Sequence, residues 1–134
     1  MRNRRSRLPT APGGWFRPIG SDSFGRGRSE PLPFDQQAIE VNASVSACLA
    51  AYGATQDVRW ADEAQRAFAW FMGGNDLRVM MCDVETGAGF DGIHPDRRNA
   101  NQGAESTLAY LQSLSDMLVL AARAGAGGSL ERVA

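Results

Sequence analysis

The chain has 134 residues, of which 43% are hydrophobic and 22% are charged, and its formal net charge is -1. This length fits one domain with one hydrophobic core, and the balanced charge disfavours a general nucleic-acid-binding protein. A membrane-spanning protein is not expected, because no apolar run approaches the roughly 20 residues that a bilayer crossing requires.

Basic residues are concentrated at the start of the chain. Residues 1–34 carry seven arginines against Asp22 and Glu30, whereas the rest carries seven arginines against thirteen acidic residues. We therefore predict a disordered basic leader over residues 1–14. Residues 8–14 lack the apolar segment of an export signal, so we expect a cytoplasmic protein. Without export, the two cysteines are expected to stay reduced, and their spacing to the single histidine fits no zinc motif.

The segment that follows the leader is rich in proline and glycine, which predicts irregular chain instead of helix. It also contains Trp15, Phe16, Phe24 and Phe34. A flexible linker would lack these aromatic residues. We therefore expect the segment to pack over a surface that it partly buries.

Two amphipathic helices are predicted next. The first covers residues 36–53, with Asp35 as its N-cap and Gly53 at its end. The second covers residues 58–72 and is capped by Asp57. Both show apolar residues at the i, i+4, i+7 and i+8 spacing of one helix face. The short connection between them predicts an αα-hairpin.

A long connection precedes the third predicted helix. Within it we expect a short β-hairpin or an ordered loop near residues 79–92, and a connection of this length is usually functional. The third helix covers residues 102–124 and carries a stripe of leucines. Glycines are expected to end it, which leaves residues 125–134 as a flexible tail. The fold class predicted from these elements is all-α, with three main helices.

Polar side chains gather before and at the start of the first and third helices. If the two helix starts lie at the same end of the molecule, both clusters face one mouth. Carboxylate and amide groups at a mouth can make paired hydrogen bonds to sugar hydroxyls. The first cluster comprises Asp35, Gln36, Gln37 and Glu40, and the second comprises Asp91, His94, Asp96, Asn99, Asn101, Gln102 and Glu105.

Two carboxylates across such a mouth can act as general acid and base in glycoside cleavage. We predict Glu105 and Asp35 as this catalytic pair. Each residue also has a structural interpretation, since Asp35 can cap a helix and Glu105 is a first-turn acid that the helix dipole favours. His94 can be an ordinary loop residue, and Asp91 can be a turn residue.

Seven sequence segments together resemble the C-terminal region of bacterial proteins described as group 1 glycosyltransferases. The chain differs from that family at Ala38, where the family usually has proline. The matching segments are residues 15–21, 34–40, 60, 67–71, 75–76, 91–92 and 99–107.

The resemblance implies a six-hairpin glycosidase-like fold, an (α/α)6 toroid, of which residues 15–124 would be a terminal part. It implies glycosyltransferase or glycosidase-like activity in carbohydrate metabolism, with a glycan as substrate. No cofactor and no metal are expected, because the sequence has no glycine-rich phosphate loop after a strand and no metal-ligand motif. Because a toroid has about a dozen helices and this chain has three, we expect a fragment or one part of a split protein. The substrate-binding residues are then predicted to be Gln36, Gln37, Glu40, Asp91, His94, Asn101 and Gln102.

The alternative hypothesis is a non-enzymatic helical interaction module. The third helix has no neighbour in sequence with which to form a hairpin, so its leucines would be exposed in the isolated chain. Exposed apolar patches usually mark an interface. The module would then dock on a partner subunit, or on a missing N-terminal domain, that carries the absent hairpins.

Overall fold

The computed structural model describes residues 8–23 and 32–131. The fold is mostly helical, as predicted, but it also contains a small antiparallel sheet that an all-α class omits. The helices are α1 (Ala38–Thr55), α2 (Val58–Phe68) and α3 (Ala104–Glu131), and the strands are β1 (Gln36–Gln37), β2 (Gly92–Ile93) and β3 (Arg98–Asn99).

The predicted hairpin of α1 and α2 is confirmed, because two residues join these helices and they pack on each other. Asp57 caps α2 as predicted, and its side chain accepts a hydrogen bond of 3.1 Å from the backbone N–H of Arg59. Gly53 does not end α1, since the helix continues to Thr55 and closes at Gln56 in the left-handed conformation (φ 56°). A glycine inside a helix costs only about 1 kcal/mol relative to alanine, which packing can offset.

The sheet corrects the predicted start of the first helix. Gln36 and Gln37 are strand β1, paired with β2 in the register Gln36 to Ile93 and Gln37 to Gly92. β2 also pairs with β3, so it lies in the middle of the sheet. The helix therefore begins at Ala38, and the prediction that Asp35 is its N-cap was wrong.

Residues 75–91 form an ordered loop instead of a regular hairpin. Asn75 is fully buried, and its side chain donates to the backbone oxygens of Trp70 and Val79 at 2.8 and 2.7 Å. A single bridge pairs Cys82 with Gly89 across the turn between them. Of the two predicted alternatives near residues 79–92, the structure therefore has the ordered loop, and the regular pairing occurs further on, at β2 and β3.

Helix α3 differs from the prediction at both ends and in its buried face. It starts two residues later, at Ala104, and continues through the glycines to Glu131. Its completely or largely buried side chains are Ser106, Ala109, Tyr110 and Ser113. Of the predicted leucine stripe, Leu114 packs against the core, whereas Leu108, Leu111 and Leu118 are exposed. The expectation that these leucines are exposed in the isolated chain is confirmed.

The core lies where both helices of the hairpin, α3 and the loop meet. Asn42 of α1 donates to the hydroxyl of Ser113 in α3 at 3.0 Å, which fixes these two helices side by side. Phe71 stands beside Tyr110, with ring centroids 5.4 Å apart. The buried side chains that fill this space include Val41, Val45, Cys48, Ala64, Ala67, Trp70, Phe71, Met81, Ile93 and Tyr110.

The N-terminal segment packs on this core, as expected from its aromatic residues. Phe16 is 1% exposed. Residues 8–14, which were predicted as part of the leader, contact the rest of the fold at two points: Ala11 is buried, and the backbone N–H of Leu8 donates to Glu63 at 3.1 Å. The rest of the predicted leader and Phe24 lie outside the described residues. Within residues 8–23 and 32–131, no helix has both the length and the apolarity needed to cross a membrane.

Candidate functional site

The two polar clusters meet in one pocket. It is a depression of ≈ 480 Å³ where β1, β2 and the start of α3 come together. The strand pairing of β1 with β2 brings the first cluster to the second, and the connection from β3 delivers the start of α3 to the same place. The residues that line it are Asp35, Gln36, Gln37, Asp91, Gly92, His94, Asn99, Gly103, Ala104, Glu105 and Ser106.

Asp35 and His94 form a pair in this pocket. The Nδ1 atom of His94 lies 2.8 Å from Oδ1 of Asp35, and both side chains remain partly exposed. His94 is placed by the turn that joins β2 to β3, where its backbone N–H donates to Arg97 O at 2.9 Å. A carboxylate that bonds Nδ1 orients the imidazole and leaves Nε2 free to exchange a proton with a ligand.

Glu105 and Gln37 line the pocket, and within residues 8–23 and 32–131 neither side chain makes a hydrogen bond that would occupy it. Glu105 is exposed in the first turn of α3, and Gln37 is half-buried at the end of β1. Gln102 is exposed but is not among the lining residues, and Asp96 lies outside the pocket beside Arg97, 2.8 Å from its guanidinium. The structure thus brings Asp35, Glu105, Gln37 and His94 together.

Asp91 lines the pocket but its carboxylate is occupied by the protein. It accepts hydrogen bonds from the side-chain amide of Asn101 and from the backbone N–H of Gly103, the latter at 2.8 Å. The Asn101 hydrogen bond, followed by those of Gly103 and Ser106, outweighs desolvation and holds the pKa of Asp91 below its usual value. Asp91 and Asn101 therefore fix the entrance of α3, and they support the pocket more than they face into it.

Gln36 is fully buried and its side chain points away from the pocket into the core. Its carbonyl oxygen accepts a hydrogen bond of 2.8 Å from the indole N–H of Trp70, and its amide donates to Asp76. Both polar ends of Gln36 are thus used. Its contribution to the pocket comes from the backbone of β1.

A buried ion pair that sequence reasoning missed lies behind β1. Asp76 accepts hydrogen bonds from the guanidinium of Arg17, from the amide of Gln36 and from the indole of Trp15. Burial opposes ionisation of Asp76, but these three donors outweigh it, and its pKa is lowered. No spacing rule could have revealed it, because Arg17 and Asp76 are 59 residues apart.

Two aromatic residues of the N-terminal segment lie away from the pocket. Phe16 is buried in the core, and Trp15 lies under the guanidinium of Arg78, 4.3 Å from the ring centroid. Neither lines the pocket. The described residues that line the pocket therefore offer hydrogen-bonding groups and no phenylalanine, tyrosine or tryptophan ring.

Glu40 does not line the pocket either, and it is an unsatisfied acid. Its Oε2 atom is buried and has no hydrogen-bond partner among the described residues, and desolvation raises its pKa. A raised pKa in the folded state means that stability falls as the pH rises above the unfolded value of about 4.3.

We expect the Glu40→Gln variant to be more stable than the wild type at pH 7 by about 1 kcal/mol, since a neutral amide loses less solvation on burial. Urea unfolding at pH 7 and pH 4 measures this, and the gain should shrink at pH 4. Asp62→Asn, an exposed acid on α2, is the control. An equal gain in stability in both variants would mean that the effect comes from the change in net charge and not from the burial of Glu40.

A larger cavity of ≈ 590 Å³ separates the C-terminal halves of α1 and α3. Its lining is mainly apolar, with Tyr52, Gln56, Asp116 and Arg123 as its polar edge, and it includes none of the predicted site residues. We place the candidate site in the smaller pocket because its lining is mainly polar and contains residues of both predicted clusters. Among the described residues, no group of three potential metal ligands is assembled.

Comparison with known proteins adds no relative. No protein-family model matches the chain, and no curated protein sequence matches it. The functional assignment therefore rests on the residues of the pocket and on their geometry.

Proposed function

We propose that the chain is a carbohydrate-active module that binds a glycan in the pocket between β1, β2 and the start of α3. The observation that carries this proposal is the convergence of Asp35, His94, Gln37 and Glu105 on one depression of ≈ 480 Å³. Such a depression is of the size of ordinary small-molecule sites, which begin at about 300 Å³.

The chemistry of these groups suits sugar hydroxyls. Each hydroxyl is both a donor and an acceptor, and the pocket offers carboxylate acceptors, an amide and an imidazole. Asp35 and Glu105 can each accept two hydrogen bonds from neighbouring hydroxyls of a ring. Asp91, whose acceptors are already used, keeps the start of α3 in place while the others bind.

For a reaction, we propose Asp35 and Glu105 as the carboxylate pair, with His94 as the residue that positions Asp35. Glycoside cleavage needs two carboxyl groups on opposite sides of the scissile bond. The sequence resemblance to the C-terminal region of glycosyltransferase-type proteins supports the same substrate class. In that setting the three helices would be the last part of an (α/α)6 toroid.

Calorimetric titration with manno- and gluco-oligosaccharides tests the proposal. We expect the wild type to bind one of the two series, and Asp35→Asn and Glu105→Gln each to weaken binding at least about tenfold, equivalent to about 1.4 kcal/mol. Asp96→Asn is the matched control, because Asp96 belongs to the same stretch of chain but lies outside the pocket. Absence of binding by the wild type, or equal binding by all variants, would contradict the proposal.

A second candidate function is favoured by one observation, the exposure of Leu108, Leu111 and Leu118 on α3. An interaction module that buries these leucines does not require the pocket. The Leu118→Glu variant separates the two functions: it should abolish association with a partner and leave oligosaccharide binding unchanged. Asp35→Asn should do the opposite.

A further inference from the structure

Helix α3 has a second apolar face on the side away from the core. We call it the outward stripe and define it as Leu108, Leu111, Leu118 and Val119, with Ser115 and Ala122 between them. Leu108 is 60% exposed and Leu118 is 61% exposed. On a helix with 3.6 residues per turn, these positions lie opposite the buried Ala109 and Ser113. The helix is therefore apolar on two opposite sides.

A helix with this pattern is normally buried on both sides. The outward stripe is also continuous, since Leu111, Ser115, Leu118 and Ala122 follow one another at the i, i+4, i+7 and i+11 spacing of a single helix face. These four residues line one shallow groove along α3. Scattered exposed leucines need no explanation, but a row of them marks a surface that another protein covers.

The charges beside the outward stripe indicate what covers it. Glu105 and Arg123 are 18 residues apart, which is about five helical turns, so they lie on the same flank of α3 at opposite ends. Gln112 and Asp116 lie between them on that flank. The other flank carries Thr107, Leu114 and Ala121 and has no charge.

We propose that the outward stripe is covered by a second copy of this chain, with the two α3 helices antiparallel across a two-fold axis. In this arrangement Leu111 of one copy packs against Leu118 of the other, and the charged flanks face each other. Glu105 then meets Arg123 of the second copy, and Gln112 meets Asp116. Antiparallel two-fold pairing repeats each contact twice.

The alternative parallel pairing lacks this complementarity. In a parallel two-fold pair the charged flank of one helix faces the uncharged flank of the other, which leaves Glu105 and Arg123 without opposite charges. Complementary flanking charges set the orientation of paired helices. The distribution of charge along α3 therefore selects the antiparallel second copy.

This inference rests on the second candidate function and extends it to the pocket. Glu105 lines the pocket and belongs to the charged flank. In the paired molecule, Arg123 of the second copy reaches the rim of the pocket beside Glu105. The rim then carries a cation that the lining of the pocket, within the described part of one chain, does not include, which favours glycans that bear a carboxylate.

Sedimentation equilibrium of the full chain at about 100 µM tests the proposal. We expect twice the chain mass of 14.4 kDa for the wild type and the single-chain mass for Leu118→Glu. Glu105→Arg and Arg123→Glu should each raise the dissociation constant at least about tenfold, and the double reversal should restore it to within about threefold. Far-UV circular dichroism checks that every variant is folded.

A wild-type chain that sediments as a single copy would overturn the proposal, and the outward stripe would then belong to a different protein. A dimer that Leu118→Glu leaves intact would overturn it too, because its interface would lie elsewhere. A dimer that the double reversal fails to restore would exclude the antiparallel pairing. Calorimetry with the wild type and the neutral manno- and gluco-oligosaccharides measures the proposed glycan binding separately, so failure of the pairing and failure of the glycan proposal are distinguishable.

Discussion

Replacement of Asp76 by alanine is expected to lower the free energy of unfolding by about 3 kcal/mol, since removal of one partner from a buried ion pair leaves the other charge uncompensated. The side chain of Asp76 is 7% exposed. Without it, the guanidinium of Arg17, the indole N–H of Trp15 and the amide of Gln36 lose their shared acceptor. Urea unfolding measures the loss, and Asp62→Ala on the exposed face of α2 should stay within about 0.5 kcal/mol of the wild type.

The same variant should change the acid dependence of stability. The folded pKa of Asp76 is lowered, so its stabilisation is present above the unfolded value of about 3.9 and is lost as the pH falls through the lower folded value. The difference between wild type and Asp76→Ala should therefore be constant near pH 7 and shrink below about pH 4. A difference that stays constant down to pH 2 would mean that the carboxylate charge contributes nothing.

Replacement of Gly92 by alanine is expected to destabilise the protein by about 3 kcal/mol and to abolish the oligosaccharide binding that we propose for the pocket. A Cβ atom at Gly92 would lie 2.5 Å from the backbone oxygen of Gln36. A backbone atom cannot rotate away, so β1 and β2 must separate, and overpacking of this kind costs about 1–3 kcal/mol. Separation of the strands also moves Asp35 away from His94. Asp35 Oδ1 and His94 Nδ1 lie 2.8 Å apart in the wild type.

Gly53→Ala is the matched control for Gly92→Ala. Gly53 lies inside α1, and a Cβ atom there meets nothing within 4 Å. We expect this variant to be more stable than the wild type by about 1 kcal/mol, because alanine is the better helix former. Thermal unfolding of the two variants compares them directly. Similar destabilisation in both would show that the contact at β1 is not the cause.

The elements that could be predicted from the sequence are those with a local signal. The α1–α2 hairpin follows from two apolar stripes and from Asp57, whose side chain makes the predicted cap. The sheet could not be predicted, because each strand has two residues and no periodicity. For α3, the leucine stripe predicted the wrong buried face. The face that packs on α1 carries Ala109 and Ser113, whose small side chains let α1 approach closely.

In the candidate site, too, one part could be predicted from the sequence and another part could not. That both clusters face one mouth was predicted from the positions of the helix starts, and the pocket contains Asp35, His94 and Glu105 together. The role of each side chain was not predictable, since it depends on partners far away in the chain. Gln36 is turned inward because Trp70 and Asp76 take both of its polar ends. The carboxylate of Asp91 is used in the same way, because it accepts a hydrogen bond from the side-chain amide of Asn101.

The distances in sequence between bonded residues have a consequence for folding order. Arg17 and Asp76 are 59 residues apart, and so are Asp35 and His94. Contacts between residues so far apart in sequence form late, because the large loop between them must close first. The hairpin can therefore collapse early, whereas the pocket is completed in the last steps. By the same reasoning, native-state hydrogen exchange at β1 and β2 should be faster than in the middle of α1, so that the pocket opens and closes more often than the helical hairpin does.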